Sequence, residues 1–311
     1  MKLDVVTLGE SMIQLNAKTI GPLETVREWE QHAAGAESNF AVGVVRMGLK
    51  AGWISRLGKD GFGRYIVQVI KENGVDVSQV KFDPSAPTGI YFIWHPKEGE
   101  SVVKYYRKGS AASKLSPRDI KKRYIKNSRW LHLTGITPAL SDSCSEACFK
   151  AIEYAHDFEL KISFDVNWRK VLWRSVSEAR KVFEKIAKEV DLVKIGIEGF
   201  NQIWRRSLSP KDACKFLSKR FNCEALVTKE RDAYACSKNE VVHERAMKVK
   251  VVDPVGAGDA FLAGYVASRL KGYSMRESLR IANVIGATVC TRRGDIEAIP
   301  TWDEIQSKFN L

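Results

Sequence analysis

Gly256-Ala257-Gly258-Asp259 stands directly before an apolar periodic run, Ala260 to Leu270, that reads as a helix. Small residues there let main-chain N–H groups approach a ligand, and the first turn of a helix leaves several N–H groups without intrahelical partners. The helix dipole adds partial positive charge, so the turn suits an anion such as a phosphate. Asp259 fits two roles. It can be an ordinary first-turn or capping acid, or it can take the proton of a hydroxyl that attacks a phosphoryl group bound at the turn. The spacing is neither that of a Walker A loop nor that of a dinucleotide fingerprint. No GxxxxGK[ST] occurs, and Gly9 and Gly35 do not form GxGxxG, which disfavours hydride transfer.

Two arginines give a second indication. Arg107 ends a β-rich segment, and Arg169 follows the strand end Phe164-Asp165. Ligands of open α/β sheets sit beyond the carboxyl ends of the strands. Two guanidinium groups converging there would take a carboxylate through bidentate hydrogen bonds, although either arginine also reads as a solvated surface group.

The elements that must position these residues alternate between short apolar stretches and longer amphipathic ones, the pattern of a covered, mostly parallel sheet. Strands are expected at Val5–Leu8, Ala51–Leu57, Arg129–Leu133, Lys161–Asp165, Leu192–Ile195, Ala225–Thr228 and Tyr234–Ser237, with Glu240–Lys248 pairing nearby. Helices are expected over 38–47, 63–73, 143–156, 177–189, 210–220, 260–270, 275–290 and 303–309. Gly89–His95 and Ser101–Arg107, separated by Pro96-Lys97-Glu98-Gly99-Glu100, interrupt this rhythm as an antiparallel hairpin. Tyr91, Val103, Tyr105 and Arg107 fall at period-two positions, so one face of it could cover a pocket; the alternative is an edge hairpin with ordinary aromatic packing. No internal repeat or low-complexity linker divides the chain. The fold class is therefore α/β, one large body with a small β appendage.

Composition narrows the field. The chain has 311 residues, 44% of them hydrophobic and 28% charged, which excludes disordered and fibrous classes. Its 50 Lys and Arg against 37 Asp and Glu leave a formal charge of +13. That field attracts anions, but the basic residues are dispersed along amphipathic stretches, which favours small anionic metabolites over nucleic acid. The six cysteines form no CxxC pair and have no histidine at metal-site spacing, so they read as free packed thiols of a cytoplasmic, reducing compartment. No apolar run reaches the ~20 residues that span a bilayer, and the amino terminus carries no signal-peptide pattern.

Three ordered motifs then bring a family into view. Gly35-Ala36-Glu37-Ser38-Asn39-Phe40-Ala41, Gly58-Lys59-Asp60-Gly61-Phe62-Gly63 and Asp253 to Asp259 with Phe261 together resemble the signatures of the ribokinase-like (PfkB) carbohydrate kinases over nearly the whole length. Within that family the chain is most similar to the archaeal 2-keto-3-deoxygluconate kinases. The segments that carry this are Asp83 to Gly89, Tyr105 to Ala111, Lys114 to Pro117, Gly135 to Thr137, Asp165 to Arg169, Leu172-Trp173 and Arg293-Gly294-Asp295.

The resemblance implies a three-layer α/β/α sandwich over residues 1–311. It also implies a discontinuous β lid, formed by the hairpin 89–107 with part of 12–34, that often serves as a subunit interface. Asp259 would be the catalytic base, with the N–H groups of Gly256, Ala257 and Gly258 as an anion hole. Gly35, Asn39, Tyr91 and Tyr105 would hold the body of a sugar acid, Arg107 and Arg169 its carboxylate, and Asp295 hydroxyls near Asp259. Thr228 and Lys229, with Gly256 and Gly258, would approach the nucleotide. ATP and Mg²⁺ are the implied cofactors, with no residue assigned as a direct metal ligand. The implied reaction forms 2-keto-3-deoxy-6-phosphogluconate, with the galactonate epimer as a further substrate.

Two departures from the family pattern stand out. After the strand Leu192–Ile195 many members carry Asn-x-x-Glu; here the run is Gly196-Ile197-Glu198-Gly199, with Glu198 a substitute acid. The nucleotide-side turn lacks its glycines and reads Lys229-Glu230-Arg231-Asp232-Ala233, where Glu230 must turn away or pair with Arg231. These departures keep open a catalytically weak metabolite-binding protein; a fructokinase or other sugar kinase of the same family, which shares most of this apparatus, is the other alternative.

Overall fold

The computed structural model describes residues 2–309. Its main sheet has nine strands: β1 (Val5–Leu8), β4 (Ala51–Gly58), β5 (Asp76–Asp83), β8 (Trp130–Thr134), β9 (Lys161–Asp165), β10 (Leu192–Gly196), β11 (Glu224–Lys229), β12 (Asp232–Cys236) and β13 (Val241–Arg245). They lie in the order β13-β12-β11-β10-β9-β8-β1-β4-β5. From β5 to β11 all neighbours are parallel; only the β11–β12 and β12–β13 pairs are antiparallel. A second sheet of four strands joins β2 (Met12–Ile20), β3 (Trp29–Ala34), β6 (Ile90–His95) and β7 (Val102–Tyr106) in the order β3-β2-β6-β7.

Helices cover both faces of the main sheet, as the alternating pattern implied, and give the three-layer sandwich that the family resemblance implied. On one face, helices 142–157, 176–187, 197–204 and 210–221 bury Phe164, Phe183 and Phe200. On the other, helices 36–46, 61–72, 257–270 and 275–289 bury Phe40, Trp53 and Tyr265. Truncating one such fully buried aromatic to alanine costs about 3–5 kcal/mol. All six cysteines are free thiols, five of them buried. Among the described residues, no helix is long and apolar enough to cross a membrane.

Several elements escaped the sequence pattern for physical reasons. β2 carries buried polar residues, Gln14 and Asn16, within its alternation, and β5 is an edge strand rich in polar residues. Helix 197–204 is short and follows β10 with no intervening loop, so its apolar residues merge with those of the strand.

Small residues decide how closely two functional helices approach. A Cβ on Gly43 would stand 2.6 Å from the Cβ of Ala263, so helix 36–46 lies directly against helix 257–270. That contact brings the first turns of both helices together. The small sheet is positioned over the same region: Met12, Ala34, Tyr91 and Ile93 form an apolar cluster packed on Val255, just before Gly256.

Candidate active site

Beyond the carboxyl ends of the parallel strands lies a cavity of about 660 Å³. Its floor comes from the residues that end or follow those strands: Glu10 after β1, Ile136 after β8, Asp165 and Asn167 to Arg169 at β9, Lys194 to Gly196 and Glu198 at β10, and Thr228 on β11. The small sheet supplies the roof with Tyr91, Ile93, Val103 and Tyr105. Gly256, Gly258 and Asp259 close one side.

The glycine-rich run starts helix 257–270 with Gly256 in the left-handed region, φ 77°. A side chain there would be strained, and its Cβ would stand 2.5 Å from the carbonyl oxygen of Asp295. Gly256 thereby presses the turn against the segment that carries Asp295. Ala257 N–H donates to the Pro254 carbonyl at 3.3 Å.

Asp259 is held from two sides. Asn39, the fourth residue of helix 36–46, donates through Nδ2 to Asp259 Oδ2 and to Asp295 Oδ2, each at 3.0 Å. Its Oδ1 accepts from Gly35 N–H at 3.3 Å, which fixes the orientation of the amide. Asn167, with a φ of 35°, reaches the other Asp259 oxygen at 3.5 Å.

Burial, and then the negative charge of Asp165, push the Asp259 carboxyl up to about 6; Lys194, the Asn39 hydrogen bond and Arg169 hold it from rising further. Burial pushes Asp295 up to about 8, only partly opposed by Asn39. Both carboxyls are raised, Asp295 further than Asp259, so Asp259 ionises first and can accept a proton, whereas Asp295 keeps its proton to higher pH and can donate a hydrogen bond. Glu37 is another buried carboxyl at the cavity wall. Burial raises it to about 7, against hydrogen bonds from Thr137 and Thr134.

Lys194 is a charge inside an otherwise apolar strand. Its Nζ donates to Asp165 Oδ2 at 2.8 Å, with both side chains buried. The ammonium also abuts the glycine-rich turn, 3.1 Å from where a Cβ on Gly258 would stand. Such a pair is retained at a cost in desolvation, and its position beside the turn puts positive charge where an anion would lie.

Of the residues singled out from sequence, the cavity wall contains Gly35, Asn39, Tyr91, Tyr105, Arg107, Arg169, Thr228, Gly256, Gly258, Asp259 and Asp295. Ala257 and Lys229 lie outside it, Lys229 as an exposed strand end. Glu198 lines the cavity, at the start of helix 197–204. Glu230 sits at the tip of the β11–β12 turn with φ 48°, and Arg231 donates twice to the Ala246 carbonyl, at 2.9 and 2.6 Å. Sequence reasoning passed over Glu10, Glu37 and Lys194 as individual site residues. A signal existed for two of them: an acid directly after the first strand, and a lysine within a buried strand.

Among the described residues, no group of three or more His, Cys, Asp or Glu side chains could hold a metal ion. The turn at Gly256–Gly258, the helix N-terminus and the Lys194 ammonium fit a polyphosphate.

The architecture and this site define a carbohydrate kinase: the chain belongs to the pfkB family carbohydrate kinases, whose model matches residues 2–302. It is closely related to 2-dehydro-3-deoxygluconokinases. The Thermoproteus tenax enzyme of that name is 39% identical over 98% of this chain and 93% of its own length. The Bacillus subtilis enzyme of that name is 35% identical, over 99% and 95% respectively. An Escherichia coli structure assigned as a ribokinase II, in complex with ATP and Mg²⁺, matches with a TM-score of 0.91 at 28% identity, covering 99% of both chains.

The Asn39 hydrogen bond favours the ionised form of Asp259, so its removal raises the Asp259 pKa. In Asn39→Ala the acidic limb of the kcat/KM–pH profile, expected near pH 6 in the parent, should move up by roughly 0.5–1 pH unit. An unmoved limb, or one displaced to lower pH, would contradict the assignment of that limb to Asp259.

Proposed function

We propose that this protein transfers the γ-phosphoryl group of Mg-ATP to the terminal hydroxyl of 2-keto-3-deoxygluconate or a close 2-keto-3-deoxy sugar acid. The observation that carries the reading is Asp259: a half-buried carboxyl raised to about 6, anchored by Asn39 at a helix start suited to an anion, in one cavity with Arg107 and Arg169. The names of the two relatives support the substrate class.

In this reading Asp259 accepts the hydroxyl proton as the oxygen attacks phosphorus in line and the bond to the departing ADP oxygen breaks. The N–H groups of Gly256 and Gly258, the helix dipole and the Lys194 ammonium stabilise the charge on the transferring group. Mg²⁺ bound with the triphosphate would supply neutralisation of the phosphate charge. Protonated Asp295 and Asn39 orient the hydroxyl end of the substrate, while Arg107 and Arg169 take the carboxylate. The small sheet acts as a lid, with Tyr91 and Tyr105 on the sugar and Val255 as its contact with the turn. Closure excludes water that would otherwise accept the phosphoryl group.

One observation favours the neutral-sugar alternative. Arg107 is already paired with a protein carboxylate, that of Glu10, which offsets part of its charge. A panel of sugar acids and neutral sugars with ATP separates the two readings. The expected result is preferred turnover of 2-keto-3-deoxygluconate, with Arg169→Ala raising its KM by about 10- to 100-fold. Preferred turnover of fructose, with Arg169→Ala indifferent, would support a fructokinase instead.

We also propose that the outer face of the lid joins a second copy of the chain. Trp29, Phe92 and Tyr106 form an edge-to-face aromatic row there, with centroids 5.2 and 5.7 Å apart, and Tyr106 is 61% exposed. Exposed aromatic surface on a small open sheet favours pairing. Light scattering should report a dimer or larger assembly that Tyr106→Lys weakens; a monomer at micromolar concentration would contradict this.

A further inference from the structure

Four chain segments connect the body to the small sheet, and Glu10 touches all of them. It lies on the first, between β1 and β2. On the second, a Cβ on Gly35 would stand 2.3 Å from the Glu10 carbonyl oxygen. On the third, a Cβ on Gly89 would stand 2.9 Å from Glu10 Oε1. On the fourth, the chain leaving β7, Ser110 donates its hydroxyl to Glu10 Oε1, and one terminal nitrogen of Arg107 is ion-paired with Glu10 Oε2. The Glu10 side chain is completely buried and that of Arg107 nearly so.

A guanidinium carries five N–H donors in a fixed fork, and Glu10 engages one terminal nitrogen. Arg107 Nε is buried without a hydrogen-bond partner, and its Cζ lies 5.7 Å from the centroid of the Tyr105 ring. The guanidinium is therefore gripped at one edge and flanked on one face, with donor capacity left over. Arg107 and Glu10 both line the cavity.

We propose that Glu10 is the positioning residue of the carboxylate subsite. It fixes the plane of the Arg107 guanidinium so that the remaining donors meet the sugar acid's carboxylate, and it ties that contact to the segments on which the lid moves. This rests on the reading that Arg107 receives the carboxylate. Without Glu10, a long side chain with several rotatable bonds loses its charged anchor and must be ordered by the substrate itself.

A second effect opposes this one, because Glu10 adds negative charge near an anionic ligand. The two differ in sign. Loss of positioning raises the KM for the sugar acid, whereas relief of repulsion lowers it. Positioning dominates if the fork geometry supplies the affinity, as bidentate carboxylate recognition requires.

The test is steady-state kinetics with 2-keto-3-deoxygluconate and Mg-ATP on Glu10→Gln, Glu10→Ala and Arg107→Ala, and on Glu10→Gln combined with Arg107→Ala. Glutamine keeps a neutral acceptor for Arg107 and Ser110, so its KM for the sugar acid should rise about fivefold, and that of alanine about thirtyfold or more. The kcat should stay within a few-fold and the KM for Mg-ATP should not change, which also reports intact folding. In the Arg107→Ala background, Glu10→Gln should have no further effect, since Glu10 acts through that arginine. An unchanged or lowered sugar-acid KM in the Glu10 variants, with Arg107→Ala still impaired, overturns the inference alone. An Arg107→Ala enzyme with normal sugar-acid KM overturns the carboxylate reading beneath it. Equal losses in both KM values would assign Glu10 a purely structural role and overturn the inference as well.

Discussion

A single side-chain amide, that of Asn39, donates to two carboxyls in the same cavity, Asp295 buried and Asp259 half-buried, and the rest of the site depends on that arrangement. Two acids side by side in a low-dielectric site cannot both carry charge without penalty. Sharing one donor while differing in surroundings separates them. Asp259 has Lys194 and Arg169 nearby to hold it in the ionisable range, and Asp295 does not. The main chain is built to permit this. Gly43 lets helix 36–46 approach helix 257–270, and Gly256 lets the glycine-rich turn approach the Asp295 segment. A side chain at either position would separate the elements that carry Asn39, Asp259 and Asp295.

The second organising feature is the crossing between body and small sheet. A parallel sheet opens its carboxyl ends to solvent, and such a site needs a cover if water is to be excluded from a transferring phosphoryl group. The small sheet is apolar toward the cavity and aromatic on its outer face. It meets the body through Val255 on one side and through Glu10, Arg107 and Ser110 on the other. His32 adds a link from β3 to the loop after Asp295, through Nδ1 at 2.7 Å from Glu297 Oε1. That hydrogen bond raises the His32 pKa against its burial, so the link is strongest where His32 is protonated.

Much of the sheet was legible because buried parallel strands such as Ile162–Phe164 and Ala225–Val227 are short apolar runs with clear boundaries, and Asp259 was legible because small residues before a helix have a specific physical use. Sequence alone left Asp259 divided between cap and base, and no local pattern could resolve that choice. Its partner Asn39 lies 220 residues away, and only packing of the two helices reveals the hydrogen bond. The same holds for Glu10 and Arg107, whose pairing depends on where the chain crosses between layers. β5 was missed because an exposed, polar edge blurs the period-two pattern, and β2, whose buried polar residues blur it too, was reached only through the family resemblance. The altered turn after β11 left open how Glu230 is accommodated; in the structure a left-handed residue takes the tip, and Arg231 is committed to the Ala246 carbonyl.

The central claim is that Asp259 accepts the proton of the attacking hydroxyl, and the Asp259→Asn variant addresses it most directly. Asparagine preserves the shape and can still meet Asn39, but it cannot take a proton. Phosphoryl transfer to 2-keto-3-deoxygluconate should be measured beside calorimetric binding of the same sugar acid. The account predicts that kcat falls by about 10²- to 10⁴-fold while sugar-acid affinity stays within a few-fold of the parent. Turnover within tenfold of the parent would contradict it.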